Sequence, residues 1–189
     1  MVLDTGQLPA LSRDELEERL DSTSHGIDET EYRDILADVE SYEKEIHFLR
    51  DDLRHEYEQA TVGISDPTNT RAIRAGLMCF TSWLLRDPLL AALLEEPEAG
   101  LWFAESLMRA VPRDWPRMRS QVTAAVAVLA QATGQTGLAC VAAQKATELS
   151  KTENFPSQVA RCLDLGLGSK LLVSVYEGAV KARHILFDA

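Results

Sequence analysis

The stretch VTAAVAVLAQATGQTGLACVAAQ, residues 122–144, runs for 23 residues without a charge, and its reading decides the fold. It could be a membrane span, a phosphate loop, or two helices meeting at a turn. A span needs about 20 predominantly apolar residues, but Gln131, Thr133, Gly134, Gln135, Thr136 and Gly137 fall where a bilayer is driest. No lysine–arginine asymmetry or aromatic belt flanks them. A phosphate loop needs G-x-x-x-x-G-K-[ST] after a strand. GQTG (134–137) lacks the lysine, and GLGSK (166–170) carries one in the wrong order after a helix. Both glycine clusters suit helix ends, where glycine takes the left-handed conformation. The spacing therefore predicts a helical hairpin: 116–133, a turn at Gly134, and 135–149. Ala124, Ala125, Ala127, Ala130 and Ala132 face Ala139, Ala142, Ala143 and Ala146. Small residues let the two axes approach, and burial on several sides explains the missing charge.

Working outward, hydrophobic residues make up 46% and charged residues 26%, a balance that excludes disorder throughout. No stretch alternates with period two, so the chain reads as all-α. The opening residues have neither a basic region nor an apolar run, so no secretory signal is expected there. Cys79, Cys140 and Cys162 are odd in number and widely spaced. Each is expected to be a buried reduced thiol, with the cytoplasm as the natural compartment.

The net charge of −11 is uneven: residues 1–58 hold 18 Asp/Glu against 6 Arg/Lys, and residues 59–189 hold 12 against 13. An acidic arm precedes a nearly neutral body, which makes nucleic acid an unsuitable partner. In that arm Ser12 and Glu15 form a capping-box pattern that opens a short helix over about 12–21, with Leu16 and Leu20 one turn apart; residues 21–28 read as a loop. Over 29–59 apolar residues hold a heptad. Tyr32, Val39, Ile46 and Leu53 take a positions; Ile35, Tyr42 and Leu49 take d positions. This is a coiled-coil-like stripe, which has to be covered by another helix, a second copy or a partner protein. Residues 62–70 read as a turn cluster. A helix is then expected from Thr70 to Leu85, another opening at Asp87-Pro88, one from Pro97 to about Ala110, and one entered at Pro116.

The hairpin brings in a likeness. GQTGLACVAAQKATEL resembles the second half of a tetratricopeptide repeat, with Gly134 at the turn, Ala139 and Ala146 at its alanine positions and Leu149 closing the helix. Ala143 departs from the repeat's aromatic and Lys151 from its proline. Over about 86–168, RDPLLAALL, the WF and RAVP segments, GQTGLACVAAQKATEL and VARCLDLGLG resemble, in order, the C-terminal helical part of an uncharacterised actinobacterial family of unknown function. The likeness implies that the compact helical body expected from about 70 to 189 is tetratricopeptide-like at this hairpin, near its C-terminal end, and names no activity. The charged side of the heptad helix is also similar to actinobacterial coiled-coil anti-sigma factors that bind a cyclic dinucleotide. Glu43 and Arg50 match that pattern in type; His47, Arg54 and Glu58 depart from it.

Candidate chemistry is sparse. Glu43, His47, Asp51 and His55 follow one another every four residues and have metal-ligand character, but lysine and arginine neighbours make them a solvated face. Phe80, Trp83, Phe103, Trp115 and Met118 are expected in the core. Trp102 lies about 100° from Phe103 on a helix and is the anchor candidate for a partner. No nucleophile–base pattern appears, and His25 and His184 stand alone. The expectation is a non-enzymatic adaptor without cofactor or metal, binding another protein or itself and no membrane. Alternatives are a regulator that sequesters a transcription factor through the arm, and a self-assembling structural element.

Overall fold

Arg13 opens the first helix, and the cause lies one residue earlier. Ser12 donates its backbone N–H and its hydroxyl to Glu15, both at 2.7 Å, and its oxygen accepts the Glu15 backbone N–H at 3.3 Å. The capping box is complete. The computed structural model describes residues 11–21, 30, 33, 34, 37 and 50–187. Among these residues every regular element is a helix: α1 (Arg13–Asp21), α2 (Arg50–Ser65), α3 (Thr70–Thr81), α4 (Trp83–Glu95), α5 (Pro97–Ala110), α6 (Pro116–Ala132), α7 (Thr136–Leu149), α8 (Asn154–Asp164) and α9 (Gly168–Phe187).

The uncharged stretch forms the axis of the body. Every residue from 122 to 130 on α6 is buried, because α6 is packed by α3, α4, α5, α7, α8 and α9. Its main partner is α7, across a turn where Gly134 has φ +76°. Ala139, Ala142, Ala143 and Ala146 are buried opposite Ala124, Ala125, Ala127 and Ala130. The Ser120 hydroxyl reaches the Ala146 carbonyl at 2.6 Å, a direct measure of how closely the two helices run. The second turn glycine, Gly166 with φ +68°, separates α8 from α9.

Three boundaries differ from the sequence reading. The helix ending at Gln59 continues to Ser65, so Val62, Gly63 and Ile64 are helical and the turn is confined to residues 66–69. Gly63 is there for packing: a Cβ at that position would stand inside the Phe103 ring. The helix expected from Thr70 to Leu85 breaks at Ser82, whose extended backbone and side-chain oxygen cap α4 by accepting the Leu84 N–H at 3.3 Å. Pro88, expected to open a helix behind Asp87, lies inside α4 instead. Pro97 and Pro116 do open α5 and α6.

The last helix closes the body. It packs chiefly along α4 rather than outward from α7 and α8. Arg183 bonds Glu95 at 3.0 Å, and the Phe187 ring lies 4.8 Å from that of Tyr57 on α2. No helix among the described residues is long and apolar enough to cross a membrane.

Candidate interaction surfaces

Tyr32, Ile35, Val39, Tyr42, Ile46 and Leu49 lie outside the described residues; Leu53 is placed in α2 by its backbone alone. The stripe's phase can still be followed forward. Residue 60 continues the a series, and Ala60 is fully buried in the body, with Tyr57 and Ile64 packed on the core beside it. At this end the a/e side of the helix is covered by the protein's own helices.

The aromatic expectations divide. Phe80, Phe103 and Met118 are core and Trp115 is half-buried, but Trp83 is 62% exposed and is no core residue. It sits at the first position of α4, directly after the Ser82 break, which turns it out of the stripe it shares in the sequence with Phe80. Trp102 is 66% exposed while Phe103 is fully buried, as their angular separation requires. Of the cysteines, Cys79 is buried, Cys162 is half-buried and Cys140 is exposed on α7, contrary to the expectation of three buried thiols. Position 140 lies on the side of α7 turned away from Ala139, Ala142 and Ala146. All three thiols are free. His55 and His184 are both exposed. No group of three His, Cys, Asp or Glu among the described residues could hold a metal ion.

The structure also assembles two sites the sequence did not announce. The first is the seat of α1, which lies across α5 and α7. Leu16 and Leu20 are buried there. Around them Arg13 donates to Gln144 at 3.0 Å, Lys145 pairs with Asp21 at 2.5 Å, and Arg19 pairs with Glu105. Glu105 is itself buried and is also held by Arg109 at 3.1 Å. The last carbonyls of α1 have no partner within the helix, and they are met from the body. Arg119 donates to the Leu20 oxygen at 3.3 Å, Arg113 to the Asp21 oxygen at 3.4 Å. Arg119 is 3% exposed and also caps Val111 at 3.0 Å. Burial lowers its pKa most strongly, Asp21 opposes that, and Arg113 adds to it. A helix with five carboxylates and two arginines thus lies in a groove rimmed by Arg109, Arg113, Arg119 and Lys145. Trp102, three residues before Glu105, stands one turn further along the same side of α5.

The second site is a cleft of about 430 Å³ between α4, α8 and α9. The Arg86 guanidinium caps one end, 4.3 Å over the Phe155 ring and 2.7 Å from Asp87. It donates to Gln121 at 3.0 Å; Gln121 and Arg117 both bond Glu153, which anchors the α7–α8 connection to α6.

Neither a family model, nor a curated protein, nor a solved structure matches the chain.

Proposed function

We propose that the protein is a non-enzymatic adaptor whose helical body binds another protein by receiving an acidic amphipathic helix. The observation that supports this reading is the seat of α1. Nine residues make too short a helix to be stable alone, so α1 owes its order to the groove. Its apolar hold on the body is two buried leucines, Leu16 and Leu20, so little burial offsets the cost of ordering the helix. The balance leaves α1 displaceable. A partner helix with the same pattern, two leucines four residues apart followed by a carboxylate, would compete for the groove in the helix-in-groove mode. Trp102, exposed on α5 one turn from Glu105, gives such a partner an aromatic contact.

On this reading the α6–α7 hairpin is a tetratricopeptide-like unit, with Gly134 at the turn and Ala139 and Ala146 at the close approach. The likeness to the actinobacterial family and the heptad stripe over 32–53 fit the same role, the stripe serving as a second surface for a partner. The test compares proteins retained from native extract by the wild type, Leu16→Asp/Leu20→Asp and Trp102→Ala. Retention of true partners is expected to rise when α1 is released and to fall without the indole. A retained set indifferent to both changes contradicts the proposal.

A further inference from the structure

The cleft between α4, α8 and α9 lies apart from the α1 groove, and its chemistry defines what would fill it. Its volume, about 430 Å³, falls in the range of small-ligand pockets, roughly 300–1,000 Å³. The inner walls are aliphatic, formed by Leu90, Val159, Leu171 and Val175. The mouth carries Gln158, Lys170 and Ser174, all exposed.

Charge decides the class of occupant. Arg86 and Asp87 neutralise each other, and the Phe155 ring and Gln121 hold the guanidinium in place. Lys170 has no such partner: among the described residues it forms no ion pair, and Glu177, two turns along the same face of α9, does not pair with it. The side chains of Gln158 and Ser174 likewise make no hydrogen bond among the described residues. The cleft's own lining therefore carries one positive charge that forms no ion pair among the described residues, beside two open hydrogen-bonding groups and above an apolar floor. A phosphate ester with two charges would leave one unmatched, and a cation would meet Lys170. We propose that this cleft binds a small monoanion with an apolar body, of the alkyl carboxylate class. Its chain lies against Leu90, Val159 and Leu171, and its carboxylate meets Lys170 and Ser174.

Two residues of the lining make the proposal testable. Gly178 lines the cleft, and a Cβ there meets nothing within 4 Å, so Gly178→Leu starts a side chain in open space and takes up volume the occupant would need. Cys162 lines the cleft and carries a free thiol, so an occupant shields it from alkylation. The experiment is isothermal titration of the full chain with octanoate, octanol and octyltrimethylammonium, in parallel with Cys162 alkylation rates in a Cys140→Ser background. Octanoate is expected to bind once per chain, ahead of the other two, and to slow Cys162 alkylation. Lys170→Gln should weaken it about fivefold or more, the loss expected of one charge-assisted contact, and Gly178→Leu should abolish it while melting no lower than the wild type. The proposal is overturned if octanoate does not saturate, if the neutral or cationic probe binds equally well, or if either variant retains the wild-type affinity.

Discussion

A valine at position 134 would have to adopt φ +76°, where its β-branched side chain meets its own backbone. Open space surrounds the site, so the cost comes from the residue's own backbone and not from a packed neighbour. Gly134→Val is expected to destabilise the fold by about 1 kcal/mol or more in urea unfolding, and an unchanged midpoint would contradict the turn. Gly63 is the opposite case. Replacing a helical glycine by alanine normally gains about 1 kcal/mol, but here the new methyl would enter the fully buried Phe103 ring. Gly63→Ala is therefore expected to lose about 1–3 kcal/mol to overpacking, and a raised midpoint would refute that contact. Gly134 was legible because glycine between two uncharged runs has a local meaning. Gly63 was not, since its reason is an aromatic ring forty residues away. The cysteines follow the same division. Burial raises the Cys79 thiol pKa far above its ordinary value, so mass spectrometry after alkylation of the folded protein should find Cys140 modified first and Cys79 spared until unfolding. Modification of Cys79 at the rate of Cys140 would place it at the surface.

Among the elements, α1 shows how a capping pattern and two leucines can be read locally while their purpose cannot. Ser12, Glu15, Leu16 and Leu20 define the helix within eleven residues; the groups that receive it are scattered over α5, α6, α7 and the α5–α6 connection. The same contacts give α1 a pH dependence. The Ser12 backbone N–H, and then its hydroxyl, hold the Glu15 pKa below its ordinary value. A carboxylate with a depressed pKa in the folded state contributes its stabilisation fully above its ordinary value and loses it as pH falls through the depressed one. The α1 amide resonances should therefore move toward unfolded positions on acidification through the carboxylate range, before those of α6, and Ser12→Ala should shift that transition to higher pH. An α1 that stays docked until the whole chain unfolds would contradict this. The break between α3 and α4 was missed for a related reason. Phe80, Trp83 and Leu84 keep a helical spacing across Ser82, and periodicity alone cannot show that a serine caps the next helix instead of continuing the last.

For the whole molecule, the helical class was legible because periodicity and composition agree along most of the chain, and the α6–α7 hairpin because its lack of charge leaves few other readings. The placement of α6 at the axis and the return of α9 onto α4 have no local signature, since they depend on pairings between distant helices. Both unannounced sites arise from those pairings: the groove from α5 and α7, the cleft from α4, α8 and α9. The groove is where the account of function is most exposed to test. The direct measurement is fluorescence anisotropy of a labelled peptide, LSRDELEERLD, corresponding to residues 11–21, titrated with the Leu16→Asp/Leu20→Asp protein, whose own α1 cannot occupy the groove. Saturable binding is expected, weaker for the wild type because its tethered helix competes at high effective concentration, and weakened about fivefold or more by Lys145→Glu. A vacated groove that does not bind the peptide, or binds it no better than the wild type does, contradicts the helix-receiving adaptor.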